Sequence, residues 1–359
     1  MDMSIGAVSG RAFCMACPDS LASEFSLGRI ISFKSLGTGV INSTYLLCTD
    51  KGEFVAQRIN TAVLGSARNL MHNIAVVTSH LEGKSIESLH FHKSATGELF
   101  ADLDGECWRV SDFLHDTEVF DRDISLAAFA TAGRAFGNFD KALMDLDPGA
   151  LFITIPGFHD PASRLKHLRS SFEKDSHGLL SKAYCQASRL LELESLAHCL
   201  PPLPLRITHN DTKTTNILFC RYSHESCCVI DLDTVMPGFL CFDFADSIRY
   251  SANKASEDEK DLGKVALDLD LFEAFAAGFL GTLRGELREE EKSSMADGVL
   301  VLTYEQAIRF LDDYLCGSPY YRIEHPEHNL ERASCQLALL EDMLVHQADM
   351  RAICSRILG

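Results

Sequence analysis

The sequence predicts an α+β chain in which a small antiparallel sheet precedes a larger, mainly helical region. Three observations predict it. Residues 29–60 form β-branched and aromatic runs separated by turn formers. From Arg122 onward, apolar residues recur at helical spacing. A chain of 359 residues with 46% hydrophobic content can bury a sizeable core and exceeds the usual size of one domain, so two lobes are expected.

Residues 1–24 read as an N-terminal extension. Arg29–Phe33, Val40–Cys48 and Glu53–Ile59 read as strands of a meander, with Thr49-Asp50-Lys51-Gly52 as the second turn. Gly37-Thr38-Gly39 sits in the first turn, where backbone free of side chains can lie over phosphates; a plain hairpin is the alternative. Leu70, Ile74, Val77 and Leu81 predict a helix over Asn69–Leu81. Ile86–Phe91 and Glu98–Val110 are expected to complete a five-stranded small lobe over residues 25–114. In the larger lobe, residues 115–359, Leu126, Phe129, Ala130, Gly133, Phe136 and Gly137 form a helical stripe whose Gly and Ala admit a close neighbouring helix. Pro201-Pro202-Leu203-Pro204 stops the preceding helix. Segments 257–283, 289–315 and 327–355 again carry helical periodicity.

The chemistry concentrates in Thr208-His209-Asn210-Asp211-Thr212-Lys213-Thr214-Thr215-Asn216-Ile217-Leu218-Phe219 and in Val229-Ile230-Asp231-Leu232-Asp233. Moving a phosphoryl group requires a carboxylate beside the attacking hydroxyl, a cation for the phosphoryl charge and hard oxygen ligands for Mg²⁺. Asp211 suits the first role and Lys213 the second. Asn216 and Asp231 suit the metal. Ile217–Phe219 and Cys228–Ile230 read as two paired strands across a polar connection, so Asn216 and Asp231 are expected together at the open end of that hairpin. The competing reading is a polar turn whose Asp and Asn cap helices.

These motifs, with Asp243-Phe244-Ala245-Asp246-Ser247-Ile248-Arg249, resemble the aminoglycoside phosphotransferase and choline kinase superfamily, whose fold is protein-kinase-like and two-lobed. Within it the chain is most similar to the N-acetylhexosamine 1-kinases, through Phe54-Val55-Ala56-Gln57-Arg58-Ile59-Asn60, Trp108-Arg109-Val110-Ser111-Asp112-Phe113-Leu114, Ile155-Pro156-Gly157-Phe158-His159-Asp160 and Ile308-Arg309-Phe310-Leu311-Asp312-Asp313-Tyr314-Leu315. The resemblance covers roughly residues 25–355. It implies ATP and Mg²⁺ as cofactors and an N-acetylhexosamine phosphorylated at its anomeric hydroxyl. It also implies nucleotide contacts from Gly37, Gly39, Arg58 and the backbone of Asp112 and Phe113, and sugar contacts from Arg309 and Tyr320. By residue type alone, Arg309 reads equally as an ion-pair partner and Tyr320 as a half-buried cap; for Arg58 a surface strand cation is the alternative. His72 stands where related kinases carry an acidic partner for the strand cation. A kinase for another hydroxyl (homoserine, choline or an aminoglycoside) and a non-catalytic nucleotide-binding scaffold of the same shape are the rival readings.

A formal charge of −18 argues against nucleic acid as a partner. No apolar run reaches membrane-spanning length, and the first twenty residues lack the pattern of an export signal. The 13 cysteines are odd in number and scattered, which suits thiols in a reducing, cytoplasmic setting better than a bridge framework. Cys14-Met15-Ala16-Cys17 has half the spacing of a zinc site but no second pair, and Cys227-Cys228 reads as strand filling. No obligate protein partner is indicated.

Overall fold

The computed structural model describes residues 17–18, 20–37, 41–121 and 124–359. Gly39 of the first-turn Gly-x-Gly pair and Cys14 lie outside the described residues. The chain divides into two compact units, one from the described residues up to Val63 with His90–Phe113, the other from Leu64–Leu89 with Leu114–Gly359.

In the first unit, a short helix α1 (Leu21–Glu24) leads into a five-stranded antiparallel sheet. Its strands are β1 (Ile30–Ser35), β2 (Ser43–Thr49), β3 (Gly52–Ile59), β4 (Ala101–Leu103) and β5 (Glu106–Asp112), in spatial order β1-β2-β3-β5-β4. The meander follows the sequence reading, with Thr49 facing Gly52 across the second turn. The remaining two strands differ from it. Only Phe91 of Ile86–Phe91 bridges to Ser111, and Glu98–Val110 is split by Asp104 and Gly105, both at positive φ (57° and 81°). Leu103 pairs with Glu106, so these two residues form the tight Asp-Gly hairpin turn that right-twisted strands favour. Alternation along the strands buries Leu47, Ala56, Trp108 and Val110 with Leu21 and Phe25 from the α1 region, so the end of the N-terminal extension belongs to this core.

The second unit begins within α2 (Thr61–Leu64) and continues with α3 (Ala67–Glu82), whose N-cap Ser66 accepts the Asn69 N–H and whose buried face carries Leu70, Ile74, Val77 and Leu81 as the spacing predicts. The buried Asn73 amide ties α3 into this unit by donating to the Phe152 and Val235 carbonyls.

A two-residue strand β6 (Thr117–Glu118) leads to α4 (Leu126–Leu143), capped by Ser125. Helices α5 (Pro161–Lys174) and α6 (Leu180–Glu192) follow, then β7 (Arg206–Thr208), β8 (Ile217–Cys220), β9 (Ser226–Val229) and β10 (Met236–Gly238). The rest is helical: α7 (Leu240–Ser251), α8 (Leu269–Leu283), the long α9 (Glu289–Leu315), α10 (His328–Val345) and α11 (Gln347–Leu358). α9 packs against α5, α7 and α10. The expected helix over 257–283 forms only from Leu269. Before it, Asn253 bridges to Leu267 and Asp261 caps a single turn at Leu262–Lys264. The described cysteines are free thiols, and Cys228 is buried in β9 as strand filling. Among the described residues no helix is long and apolar enough to cross a membrane.

Candidate active site

β7 delivers the chain to the loop His209–Lys213, and that loop is held from three sides. β10 runs antiparallel to β7, pairing Met236 with Thr208 and Gly238 with Arg206. Gly238 is required here, because a Cβ would sit 2.2 Å from Thr208 Oγ1 and 2.6 Å from Asn210 Oδ1. Asn210, at a left-handed φ of 64°, donates its side-chain amide to the Thr208 and Thr234 carbonyls at 3.1 and 2.9 Å. From α7, Asp243 accepts the backbone N–H groups of His209 and Asn210, both at 2.6 Å. The Thr212 hydroxyl donates to the Asp243 carbonyl, and the Ser247 hydroxyl to the Thr212 carbonyl.

His209 is fully buried, edge-on to Phe136 and Phe139. Its Nδ1 accepts the Asp211 N–H, which leaves Nε2 to donate to the Ile230 carbonyl at 2.9 Å. The imidazole thereby links the loop to the strand end that carries Asp231.

Burial alone would raise the Asp211 carboxyl, but the Lys213 ammonium and the Asn216 amide outweigh it and hold the group below its ordinary value. Lys213 Nζ lies 2.8 Å from Asp211 Oδ1, and the two side chains remain 32% and 25% exposed, enough to be reached. Burial would lower the Lys213 ammonium, yet the Asp211 and Asp246 charges raise it, so it stays protonated. Asn216 donates Nδ2 to the Asp211 carbonyl and to Oδ2, at 2.8 and 3.0 Å, turning its amide oxygen away from the carboxylate. Ile217 pairs with Val229, and the Ile230 N–H donates to the Asn216 carbonyl at 2.9 Å. The hairpin therefore brings Asn216 beside the residue preceding Asp231, which stands exposed at φ 59°. An amide oxygen and a carboxylate are the hard donors that suit Mg²⁺.

Asp140 and Glu305, two neighbours of the loop, escaped the sequence reading. Asp140, buried within the apolar stripe of α4, meets Asp243 carboxyl to carboxyl. Burial first, then the Asp243 charge, pushes the Asp140 carboxyl well up. Asp246 does not brace the loop as Asp243 does. It pairs with Arg249 at 2.8 Å, and Arg249 reaches Glu257 at 2.6 Å. Glu305, buried at the centre of α9, accepts the Asp160 N–H and faces His159 Nδ1 at 3.4 Å, while His159 Nε2 lies 3.1 Å from the Asn210 carbonyl.

Arg309 stacks between two rings, its guanidinium 5.4 Å from the Phe158 centroid and 5.8 Å from that of Tyr321. Tyr320 packs edge-on to Tyr321 and is itself 55% exposed. Phe158 touches His159, so the Arg309 cluster lies two side chains from the loop that carries Asp211.

In the first unit, Gly37 sits at φ 78° with open space around it. Arg58 pairs with Glu106 at 3.1 Å and donates to Ser43, lining a cavity of about 300 Å³ with Ile41, Asn60 and Thr61. Glu106 is thus an acidic partner of the strand cation. His72 instead contacts the Ala150 carbonyl and the Phe152 ring. The Asp112 and Phe113 N–H groups donate to the His90 and Glu53 carbonyls.

A family model described as APH, phosphotransferase enzyme family, matches residues 32–282. The chain belongs to that phosphotransferase family. The chain is 24% and 25% identical to two homoserine kinases of Rhodopseudomonas palustris, strains BisA53 and BisB18, over 54% and 62% of its own length. Those alignments span 56% and 64% of the kinases, less than two thirds of either. Among solved structures, an aminoglycoside phosphotransferase from Alicyclobacillus acidocaldarius superposes with a TM-score of 0.62 at 13% identity, covering 96% of this chain and 98% of the other. A spectinomycin phosphotransferase in complex with ADP and spectinomycin gives 0.56 at 12% identity, covering 88% and 93%. At those identities the likeness is one of fold.

Proposed function

We propose that this phosphotransferase moves the γ-phosphoryl group of ATP to the anomeric hydroxyl of an N-acetylhexosamine, releasing the sugar 1-phosphate. The observation that carries the reading is the Asp211–Lys213–Asn216 arrangement, in which a carboxylate held ionised stands 2.8 Å from an ammonium group that stays charged. Asp211 orients the acceptor hydroxyl and takes its proton. An anomeric hydroxyl is more acidic than an ordinary alcohol, so a carboxylate base is adequate. Lys213 balances charge on the phosphoryl group in transit. Mg²⁺, held by Asn216 and Asp231, would neutralise the phosphate oxygens.

For the nucleotide we assign Gly37, Gly39, Arg58 and the backbone of Asp112 and Phe113. Arg58 would exchange Glu106, whose side chain is 46% exposed, for phosphate oxygens, and an exposed ion pair opposes such an exchange only weakly. For the sugar we assign Arg309 and Tyr320. Ring faces and hydrogen-bond donors beside the catalytic loop suit a ligand whose hydroxyls need directional partners and whose ring needs an apolar platform.

The likeness to homoserine kinases favours a second reading, in which the acceptor is the hydroxyl of an amino acid. Release of ADP with N-acetylglucosamine, N-acetylgalactosamine, homoserine, choline and an aminoglycoside separates the two. The acetamido sugars are expected to give the highest kcat/KM. Turnover confined to homoserine overturns the sugar assignment while leaving the transfer chemistry intact.

A further inference from the structure

In the first unit, residues 90–92 run alongside 110–112 as an added antiparallel segment. The His92 N–H donates to the Val110 carbonyl at 2.9 Å, the Asp112 N–H to the His90 carbonyl at 3.1 Å, and Phe91 bridges to Ser111. Because side chains alternate along an extended segment, His90 and His92 share one face with Asp112, and Phe91 points to the other. His92 Nε2 lies 2.6 Å from Asp112 Oδ1, and the His90 ring meets the His92 ring edge-on at 5.3 Å. One ligand atom from each of the three residues falls within 4.8 Å of the others. The group is open to solvent: His90 is exposed, and the His92 and Asp112 side chains are 25% and 47% accessible. Phe54, edge-on to His92 at 5.1 Å, backs the cluster with an apolar wall.

We propose that His90, His92 and Asp112 form a binding site for a borderline divalent transition ion, Zn²⁺ by ligand type. Two imidazoles and one carboxylate are the donors such ions take, with a remaining position left to water. In a tetrahedral Zn²⁺ site neighbouring ligand atoms stand about 3.4 Å apart, so the exposed His90 side chain would move in by roughly 1 Å, while His92 Nε2 and Asp112 Oδ1, now 2.6 Å apart, would part by about 0.8 Å. The hydrogen bond between His92 and Asp112 keeps these two side chains adjacent, and the metal would replace its proton. The site is separate from the Asn216–Asp231 pair, whose amide and carboxylate oxygens suit the harder Mg²⁺. It draws on the Asp112 side chain and leaves the backbone role given to that residue unchanged.

Cobalt(II) titration of the full-length protein followed by visible absorption, with Zn²⁺ displacement, tests the assignment. The wild-type chain is expected to bind one Co²⁺ without a thiolate charge-transfer band. His90→Ala keeps the His92–Asp112 bond yet is expected to weaken Co²⁺ at least about tenfold, and Asp112→Asn to do the same. Asp231→Ala is expected to leave the signal unchanged. Saturating Zn²⁺ should raise the melting temperature of the wild-type chain and not that of His90→Ala. The proposal is overturned by any of four results: no stoichiometric Co²⁺, a His90→Ala affinity within twofold of wild type, a spectrum dominated by thiolate ligation, or loss of the signal in Asp231→Ala.

Discussion

Asp211 stays ionised because two neighbours oppose its burial, and this has a functional and a thermodynamic consequence. Asp211→Asn preserves shape and removes the base, so turnover should fall by about 10²–10⁴ while nucleotide affinity is retained; near-normal turnover in a steady-state assay would contradict the assignment. A carboxyl whose folded value is depressed contributes stability above its unfolded value of about 4, and that contribution is lost as pH falls through the lower folded value. Asp140 behaves in the opposite sense. Its folded value is raised, so above about pH 4 the native state keeps a proton that the unfolded chain has released, and stability declines as pH rises through the folded value. Asp140→Asn keeps a donor toward Asp243 and abolishes the titration. Urea unfolding between pH 5 and 8 should therefore give a flatter stability profile for the variant than for wild type, and parallel profiles would be evidence against a protonated Asp140. Residues of this kind also mark the limit of legibility. Asp211, Lys213, Asn216 and Asp231 could be read because polar side chains at fixed spacing interrupt strand-like runs. Asp140 is a single acid in an apolar helical stripe, and Glu305 an acid near the middle of a long helix, so their pairing with distant loops has no local signature. The unpaired look of one acid among Phe136, Phe139 and Leu143 was the available signal.

At the scale of elements, periodicity served helices better than strands. The stripe on α4 implied a close helical neighbour through its glycines, and that neighbour is α8. A Cβ on Gly133 would stand 2.4 Å from the Phe275 carbonyl, and one on Gly278 2.1 Å from the Ala130 carbonyl. Both obstacles are backbone atoms, so the helices must separate to admit a methyl group. Gly133→Ala is expected to destabilise the protein by about 1–3 kcal/mol despite the better helix propensity of alanine; a chemical-denaturation difference below about 0.5 kcal/mol would mean that the helices yield. The strand reading failed where turn chemistry went unread. Leu103-Asp104-Gly105-Glu106 is a hairpin signal inside what looked like one long strand, and recognising it supplies two strands where Ile86–Phe91 was expected to supply one. The helix expected from residue 257 begins twelve residues later because the intervening chain is fixed by a local Asp261 cap on the Gly263 N–H and by a bridge between Asn253 and Leu267.

Across the whole molecule, a formal charge of −18 must coexist with the anionic nucleotide proposed above, which makes the placement of each cation matter more than their number. Lys213 is kept charged by Asp211 and Asp246, and Arg249 by Asp246 and Glu257, so positive charge near the loop is fixed by neighbouring acids. The fold was legible, and the loop proposed to carry transfer could be singled out, because the motifs combine residue type with spacing. The proposed acceptor site was less legible because it draws on side chains from separated segments, Phe158, Arg309 and Tyr321, whose meeting no local pattern announces. The identity of the phosphorylated atom is therefore the sharpest test. Phosphorus NMR of the products formed from ATP with N-acetylglucosamine and with N-acetylgalactosamine is predicted to give a sugar phosphate coupled to the anomeric proton, and loss of that signal in Asp211→Asn. No phosphorylated sugar from either substrate, or phosphate on any hydroxyl other than the anomeric one, would contradict it.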